Sequence, residues 1–542
     1  MSAESASVAR PGARLRVDLP CPARVPSWLL PAVVWTVLAS GFVLIGGGNL
    51  DLGEVEARIG IAAGEPLGPL GRVGGGWEPS VWPAPVVLAR VWAWGEGGTP
   101  TAASVRWPAA IAGLAIGLIL ARRLATTLGS RAGLLVALSW FGSVALIDRS
   151  AGAGLDLIAG LATVGALDRL IGRRAGWGAG LWAASASLAA GWPPLVVLAL
   201  ATIVLARRDQ IRPIGLILPP LMMMVAWSTW ARCVAPEVWG AALAWPLRQP
   251  MAWRMAAGTL ALGLPWSPLA ALALSPSVRD GWPEPGRRAV LGWLQVAGVG
   301  LLVGTVVPGL GPAARVPALA GLAVTAAACA DRAWVGSLSA AARRSWLALA
   351  ASVVGLWVVP VVAGGIYLAG AVPYYRGLSI LLIALALPTA LVGLVAVLRG
   401  DPRRSLLALL AVAIGLKVAH YGYHVPEWNY RFSQGPWGRA IGRWVVPHWP
   451  IYTLNAWPAD LAFATGHPFR PLAHPRVLGF RRTTWPSYVL MLAPDFENWP
   501  DDAPPLERVA TFQDRHGQER ILARTAGEFS WRSLQQPRRD DD

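Results

Sequence analysis

The sequence contains few charged residues, almost no lysine and little cysteine. Only 14% of its 542 residues are charged and 55% are hydrophobic, which excludes an ordinary soluble globular protein. Cys21, Cys233 and Cys329 fall in three separate regions, so neither a disulfide framework nor a Cys-x-x-Cys metal site is indicated. Together with a mean hydropathy of +0.48, these absences predict a polytopic membrane protein.

Positive charge is abundant, but it is confined to short clusters. The net charge is +17, and Lys417 is the single lysine among 47 basic residues. Arginine pairs between apolar runs are typical of cytoplasmic loops, so they do not indicate a nucleic-acid partner. Residues 1–27 carry several arginines before the first apolar run, and no clear cleavage site follows. We therefore expect a cytoplasmic N-terminal segment that leads into an uncleaved signal-anchor.

Thirteen apolar runs predict about thirteen membrane-spanning helices within residues 28–420. Several runs are shorter than the ~20 residues that an upright span needs, so their ends extend into flanking tryptophan or arginine. Pro193 and Pro194 in "GWPPL" allow either a turn between two spans or a kink within one. The runs are 28–45, 104–123, 132–147, 155–172, 176–190, 194–206, 213–231, 256–274, 289–307, 313–330, 346–370, 378–398 and 405–420.

The arginine pairs predict the topology. If "GWPPL" separates two spans, all of the pairs fall on the side of the N-terminus, which we predict to be cytoplasmic, whereas a single span there would place the last four pairs outside. This places residues 46–103, 232–254 and 421–542 outside, in a multi-pass protein of the cell's inner (plasma) membrane. Many of the 30 tryptophans lie near predicted span ends and fit interfacial anchoring. The pairs are Arg122/Arg123, Arg173/Arg174, Arg207/Arg208, Arg287/Arg288, Arg343/Arg344 and Arg403/Arg404.

The composition becomes polar from His420 onward. "PIYTL", "SYVLML", "RVATF" and "RILART" resemble strands, and residues 435–444 and 458–465 are compatible with helices. Residues 421–542 are therefore predicted to form a small mixed α/β extracytoplasmic domain. Where the last span ends, we interpret His420, Tyr421, Tyr423 and His424 as interfacial anchors, with a metal or substrate cluster as the alternative.

The long loop at 46–103 holds the first candidate acids. In "GGGNLDLGEVEARIGIAAGEP", the stretch after Gly53 predicts a short interfacial helix on which Glu54 and Arg58 stand four residues apart. Asp51 falls at its start, where a carboxylate is stabilised by free N–H groups. A capped helix with a surface ion pair explains these residues equally well.

A second acid is predicted at the same membrane face. In "LIDRSAGAGLDLIAGLA", Asp156 lies at the outer start of the fourth span and Arg149 lies nearby. Asp156 alone would be an ordinary helix cap in the headgroup layer. Two carboxylates and an arginine at one face favour a functional site.

The order of these features resembles the GT-C superfamily of lipid-linked glycosyltransferases. Within it, the branch of the protein O-mannosyltransferases and the lipid A aminoarabinose transferase (glycosyltransferase family 39-like) is the most similar. "NLDLGEVEAR", "WEPSVWPAP" and "VRWPAAIAGL" resemble the family's acidic motif, its "KPPL" element and its "RLPSAL"-like stretch. "RSAGAGLD", "AAGWPP" and "GLPWSPL" resemble its R-x-x-x-x-D, "TKGPP" and "GLLPWS" motifs, and "YRFSQGPWGRAIGRW" and "PIYTLNAWPADLAFATGHPFRPL" resemble the lead into its outer domain.

The chain departs from this family pattern at three places. Leu52 stands where the family has a second acid, so Glu54 is the nearest substitute. The lysine of "KPPL" is absent around Glu78, and the lysine of "TKGPP" is absent before Pro193. In the family both lysines are thought to engage carrier phosphate. Arginines of the same loop could supply that charge here, namely Arg72, Arg90 and Arg106.

The resemblance implies transfer of a sugar from a polyprenyl-phosphate carrier to an extracytoplasmic glycan, lipid or protein acceptor. Asp51, Asp156 and Glu54 are the catalytic candidates, with Asp51 as the base. Positive charge for the departing phosphate comes either from a divalent metal ion held by Asp51 and Asp156 or from arginines. The substrate-binding candidates are Arg58, Arg149, Glu78 and Arg106.

Two other functions remain open at this point. The missing lysines allow a catalytically degenerate relative that binds a lipid or a protein partner. A transporter or flippase is the second alternative, although its ionisable residues would be expected near the middle of spans and its sequence would contain an inverted repeat. In every case the lipid bilayer is a partner and nucleic acid is not.

Overall fold

The structure, a computed structural model, describes most of the chain after residue 50. The described residues are 52, 54–64, 72–73, 76–77, 82–151, 155–172, 176–205, 213–234, 239–240, 244, 254–307, 309–446, 449–454, 458–480, 486–514 and 517–526. The predicted first span at 28–45 and the cytoplasmic segment before it lie outside them.

Every apolar run predicted after residue 100 coincides with a helix or with two consecutive helices. Proline and glycine mark most of the ends, since proline fits the first turn of a helix and glycine ends one without a steric penalty. The helices of this region are α1 (Glu54–Gly64), α2 (Pro83–Gly95), α3 (Ala102–Leu128), α4 (Ser130–Phe141), α5 (Val144–Ala151), α6 (Leu155–Ile171), α7 (Trp177–Ala190), α8 (Pro193–Leu205), α9 (Pro213–Val234), α10 (Met255–Leu262), α11 (Ser267–Ala270), α12 (Pro276–Arg279), α13 (Glu284–Val306), α14 (Gly311–Val335), α15 (Ala340–Ala371), α16 (Arg376–Leu398), α17 (Pro402–Ala419), a π turn (His420–His424) and α18 (Val425–Arg431).

The helical domain has the properties of a polytopic membrane protein. In the described part of the chain, seven helices are long and apolar enough to cross a membrane, or eight if one bent pair counts as a single span. The other predicted runs that fall within the described residues form shorter or broken helices. The class of fold is therefore confirmed, while the count of thirteen spans stays a prediction.

Two of the predicted spans are broken, and one doubtful pair is resolved. The run at 132–147 divides at Gly142 into α4 and α5. The run at 256–274 bends by 104° between α10 and the helical turns that follow it, at the motif "GLPWSPL". Its prolines remove backbone donors that a continuous helix would need. In "GWPPL", α7 ends at Ala190 and Pro193 begins α8, so the two prolines follow a turn between helices.

Small residues and tryptophans fill the centre of the helical domain. A side chain on Gly321 of α14 would meet the Trp293 carbonyl of α13 at 2.3 Å, so glycine lets these helices approach closely. Trp140 Nε1 donates to the Gly113 carbonyl at 2.9 Å, and Trp346 Nε1 donates to Ser405 Oγ at 2.8 Å. These fully buried tryptophans belong to the core. The prediction of interfacial anchoring does not apply to them.

One end of the helical domain collects the arginines and is called the arginine-rich end. Its contacts tie together helix ends that are far apart in sequence. These contacts involve the ends of α3 and α6 and the beginning of α17. The other termini of these three helices therefore lie at the opposite end, which is called the acidic end. The contacts are Arg123 Nε to Asp168 Oδ1 at 2.6 Å, Arg131 Nε to Asp331 Oδ1 at 2.6 Å and Arg403 Nε to the Trp334 carbonyl at 2.8 Å.

We predict that the arginine-rich end faces the cytoplasm, which cysteine labelling can test. On a background with the three native cysteines replaced by alanine, a cysteine at the exposed position Glu507 should react with an impermeant maleimide added outside. A cysteine at the exposed position Arg344 should react only after permeabilisation, because cytoplasmic loops retain arginine. The reverse pattern would invert the orientation, and labelling of both from one side would contradict the two-ended arrangement.

The C-terminal region is a mixed sheet covered on both faces. The strand β3 (Ile451–Thr453) is parallel to both β4 (Phe469–Pro471) and β5 (Tyr488–Leu492). The strand β7 (Glu519–Thr525) is antiparallel to both β5 and β6 (Leu506–Gln513), so the strand order is β4-β3-β5-β7-β6. The four predicted strand-like runs and both predicted helical stretches are confirmed, whereas β4 was not predicted. Two short strands, β1 (Arg72–Val73) and β2 (Gly76–Trp77), pair in the long loop. The C-terminal elements are α19 (Gly435–Trp444), β3 (Ile451–Thr453), α20 (Ala459–Thr465), β4 (Phe469–Pro471), β5 (Tyr488–Leu492), α21 (Ala493–Glu497), β6 (Leu506–Gln513) and β7 (Glu519–Thr525).

Candidate functional site at the acidic end

The helix predicted after Gly53 is present as α1 and is held by two buried arginines. Its buried face, which includes Ala57 and Ala62, packs against α2. Arg90 of α2 donates from Nη2 to the Ala62 carbonyl at 2.9 Å and from Nε to the Ala63 carbonyl at 3.0 Å, which satisfies carbonyl groups at the end of α1. Arg90 therefore has a structural role in the long loop.

Arg106 fixes the polar side of α1 to the beginning of α3. Its Nη2 lies 4.0 Å from Glu56 Oε2, with side-chain exposures of 6% and 17%. A buried charge is tolerated where an opposite charge accompanies it. The sequence suggested Arg106 as a substrate-binding residue, and the structure gives it a partner on the acid-bearing helix.

The C-terminal domain packs directly on α1. Ala459 belongs to the same buried cluster as Ala57, and Phe463 of α20 packs against that cluster. At Gly60 a Cβ atom would lie 2.3 Å from the Phe463 ring, so only glycine permits this contact. The acid-bearing helix is thus enclosed between the helical domain and the C-terminal domain.

Replacing Gly60 with leucine should separate these two domains. The added side chain has no space against Phe463, and overpacking of this kind costs typically 1–3 kcal/mol. We expect a lower melting temperature and faster proteolysis of the C-terminal domain. Gly95→Leu is the matched control because nothing lies within 4 Å of its Cβ position. Equal behaviour of the two variants would contradict this packing.

Three of the predicted site residues, Asp156, Arg58 and Arg106, lie on neighbouring elements of the acidic end. Asp156 is half-buried in the first turn of α6. The next residue, Leu157, packs beside Gly113 of α3, which is about 10 Å along the helix from Arg106. Arg58 is half-buried on α1.

Other predicted site residues are described only in part or not at all. Asp51 and Glu78 lie outside the described residues. Glu54 begins α1 and Arg149 lies in α5, but their side chains are not described, so the predicted pair between Glu54 and Arg58 stays a prediction.

Two of the family-like motifs meet at this end. Gly191 of "AAGWPP" has a φ of +74°, and the Trp82 ring of "WEPSVWPAP" lies 2.4 Å from the position of its missing Cβ. Trp82 in turn stacks at a tilt on Trp227 of α9, with 4.7 Å between ring centroids. Two segments that resemble family motifs and lie far apart in the sequence are therefore in contact in this chain.

A cluster of Asp148, His420 and His424 was not recognised from the sequence. One ligand atom from each lies within 4.8 Å of the other two. The histidines come from the π turn after α17 and the aspartate from α5, so only the fold brings them together. The spacing of two histidines four residues apart on a helix was the signal available in the sequence. The sequence favours interfacial anchors for both histidines and offers a metal or substrate cluster as the alternative, but it does not indicate Asp148 as a third member.

A cavity of about 440 Å³ opens beside this cluster. Polar groups gather along one wall, where Glu427 accepts a hydrogen bond from Tyr375 Oη at 2.8 Å and Tyr423 Oη lies 2.7 Å from Ser379 Oγ. The remaining wall is apolar. The lining residues are Val144, Ile147, Leu416, Ala419, His420, Tyr423, His424 and Glu427.

A cavity of similar size, about 460 Å³, lies at the arginine-rich end. Arg122, Arg123 and Arg169 line it, but Asp168 also lines it and binds Arg123 through both carboxylate oxygens. The carboxylate of Asp168 therefore neutralises part of the positive charge that lines this cavity. The arginines of this second cavity make the arginine-rich end an alternative location for an anionic ligand, which the experiments below test.

Comparisons with known proteins show similarity in fold. No protein-family model matches the sequence, and no curated protein matches it. The crystal structure of ArnT from Cupriavidus metallidurans bound to undecaprenyl phosphate matches with a TM-score of 0.70 and 15% identity, covering 92% of this chain and 98% of that chain. Apo ArnT gives 0.69 and 17%, covering 90% and 97%. The Archaeoglobus fulgidus oligosaccharyltransferase AglB, in complex with an inhibitory peptide and a dolichol-phosphate, gives 0.43 and 13%, covering 86% and 69%.

Proposed function

We propose that this chain, which has the GT-C-like fold of ArnT, is a membrane glycosyltransferase that uses a polyprenyl-phosphate-linked sugar. The observation that carries the proposal is the match to ArnT bound to undecaprenyl phosphate over 98% of that chain. An identity of 15% supports the fold alone. The reaction must therefore be argued from the residues of this chain.

The reaction requires a base near the acceptor. An acceptor oxygen or nitrogen attacks the anomeric carbon, the bond from that carbon to the phosphate oxygen breaks, and the carrier leaves as polyprenyl phosphate. The acceptor proton passes to a carboxylate, for which Asp51 is the first candidate and Asp156 or Glu54 the second. The half-buried position of Asp156 at the start of α6 suits a group that works at the rim of a membrane domain.

The leaving phosphate requires positive charge that is already in place. Arg58 on α1 and Arg149 on α5 belong to elements that flank the beginning of α3, and they replace the missing family lysines in this proposal. Arg106 supports Arg58 indirectly, because its ion pair with Glu56 holds α1 in position. A divalent ion held by Asp51 and Asp156 would supply the same charge.

The C-terminal domain covers the acid-bearing helix through Phe463. The predicted topology makes this domain extracytoplasmic. We assign it the role of closing the site toward water and of forming part of the acceptor surface. This assignment places the whole reaction on the extracytoplasmic face of the inner membrane.

A transfer assay separates this proposal from the non-catalytic alternative. Purified protein is incubated with labelled polyprenyl-phosphate hexoses, pentoses and amino sugars, together with cell-envelope acceptors, and free polyprenyl phosphate is measured. An enzyme should release polyprenyl phosphate only when donor and acceptor are both present. Binding of the lipid without release across the whole panel would support the degenerate relative.

A further inference from the structure

We propose that Asp148, His420 and His424 bind one divalent transition-metal ion of the zinc class at the acidic end of the helical domain. None of the three takes part in the proposed transfer step. Their ligand atoms converge within 4.8 Å from two elements that lie far apart in the sequence. The ligand atoms of a tetrahedral zinc site lie about 3.3 Å apart, so side-chain rotation alone can complete the approach.

A π turn aligns the two histidines. The Val425 N–H donates to the His420 carbonyl, five residues back, where an α-helix would use the residue four back. The two imidazole rings stack with 4.8 Å between centroids and 30° between planes. Such single π turns inside α-helices occur frequently at functional sites. Here the turn presents both imidazoles toward the same cavity.

His420 also has a buried nitrogen that a ligand would satisfy. Its Nε2 is inaccessible to solvent and has no hydrogen-bond partner among the described residues. Buried polar atoms in proteins are nearly always paired, so each exception calls for an explanation. An ion between His420, His424 and Asp148 provides one. A simple interfacial anchor would instead direct this nitrogen to water or to headgroups.

The third ligand is held by the bent motif "GLPWSPL". The Val144 N–H at the start of α5 donates to the Leu264 carbonyl at 3.0 Å. Trp266 is fully buried, and its Nε1 lies 3.2 Å from the Cβ position of Gly142, at the break before α5. The bend therefore fixes the helix that carries Asp148. A site built on such fixed elements holds its ligands in a defined geometry.

The ligand types select the metal. Two imidazoles and one carboxylate suit Zn²⁺ and related transition ions, whereas Mg²⁺ and Ca²⁺ prefer oxygen ligands. Three protein ligands leave one coordination position for water or another oxygen ligand. That position adjoins the cavity lined by Glu427. Two cations lie nearby: Lys417 Nζ faces the Tyr421 ring at 5.0 Å from the centroid, and Arg431 Nε donates to Glu427 Oε2.

Metal counting tests the proposal without any activity assay. The full-length protein is purified in detergent with a histidine-free tag, stripped by a chelator, reloaded with Zn²⁺ and desalted. Mass spectrometry of the metal should find one ion per chain. Competition with a chromogenic chelator should show affinity reduced at least roughly 100-fold in His420→Gln, His424→Gln and Asp148→Asn, since loss of mere supporting groups already costs 10–100-fold.

Two control variants should retain full affinity. His474→Gln removes an exposed histidine of the C-terminal domain, and Asp156→Asn removes a proposed ligand of the alternative metal site. If a ligand variant does not fold, X-ray absorption on the wild-type protein should still show two imidazoles and oxygen within about 2.2 Å of the ion. The proposal is overturned if the wild type retains no ion, if sulfur or no imidazole is found, or if Asp156→Asn loses the ion while His420→Gln keeps it.

Discussion

Transfer by the Asp51→Asn variant should be slower than transfer by the wild type by roughly 10²-fold or more, because the proposed general base is lost. Asparagine keeps the volume and the capping oxygen of aspartate. The free energy of unfolding should therefore change by well under the ~1 kcal/mol of a lost helix cap. Turnover is measured from a polyprenyl-phosphate sugar at matched expression, with thermal unfolding in parallel.

The control for this experiment lies further along the same loop. Glu65→Gln removes a carboxylate to which we assign no role, and its turnover should equal that of the wild type. Asp156→Asn should also reduce turnover, since that residue positions phosphate or metal in the proposed reaction. Wild-type turnover in Asp51→Asn would return Asp51 to the role of a helix cap.

Arg106→Ala should destabilise the protein by roughly 1–3 kcal/mol, because it removes the positive charge that lies 4.0 Å from the half-buried Glu56 carboxylate. The loss should also release α1 from α3 and reduce turnover. Thermal unfolding and the transfer assay measure the two effects separately.

The double variant Arg106→Ala/Glu56→Ala separates a structural from a phosphate-binding role. If Arg106 acts only by pairing with Glu56, removing both should recover much of the stability and the turnover, since contacting residues are not additive. If stability recovers but turnover does not, Arg106 contacts the substrate phosphate directly. Additive losses of stability would contradict the ion pair.

The helices and most C-terminal strands could be predicted because their signals are local. Apolar runs bounded by glycine, proline and arginine gave the helices, and alternation gave strands such as β5. β4 (Phe469–Pro471) was missed because three residues ending in proline carry little strand signal. The break at Gly142 was missed because an apolar run does not reveal which of its glycines interrupts the helix.

The candidate site could be predicted only in part because much of it depends on tertiary contacts. The acids of the long loop and Asp156 were apparent from charges placed at span ends. Asp148 was not, because its relation to His420 depends on the bend at "GLPWSPL" and on a π turn, neither of which has a periodic signature. Arg106 and Arg90 are arginines that could supply charge for a phosphate, and the sequence does not show that Glu56 and the Ala62 carbonyl are their neighbours.

Locating the carrier phosphate tests the central claim most directly. A structure of the protein in lipid nanodiscs with polyprenyl phosphate should show the phosphate at the acidic end, within about 3 Å of an arginine nitrogen such as that of Arg58 or Arg149. The side chain of Asp156 should lie beside the bound phosphate. Phosphate bound instead between Arg122, Arg123 and Arg169 at the arginine-rich end would contradict the proposed site and the reaction derived from it.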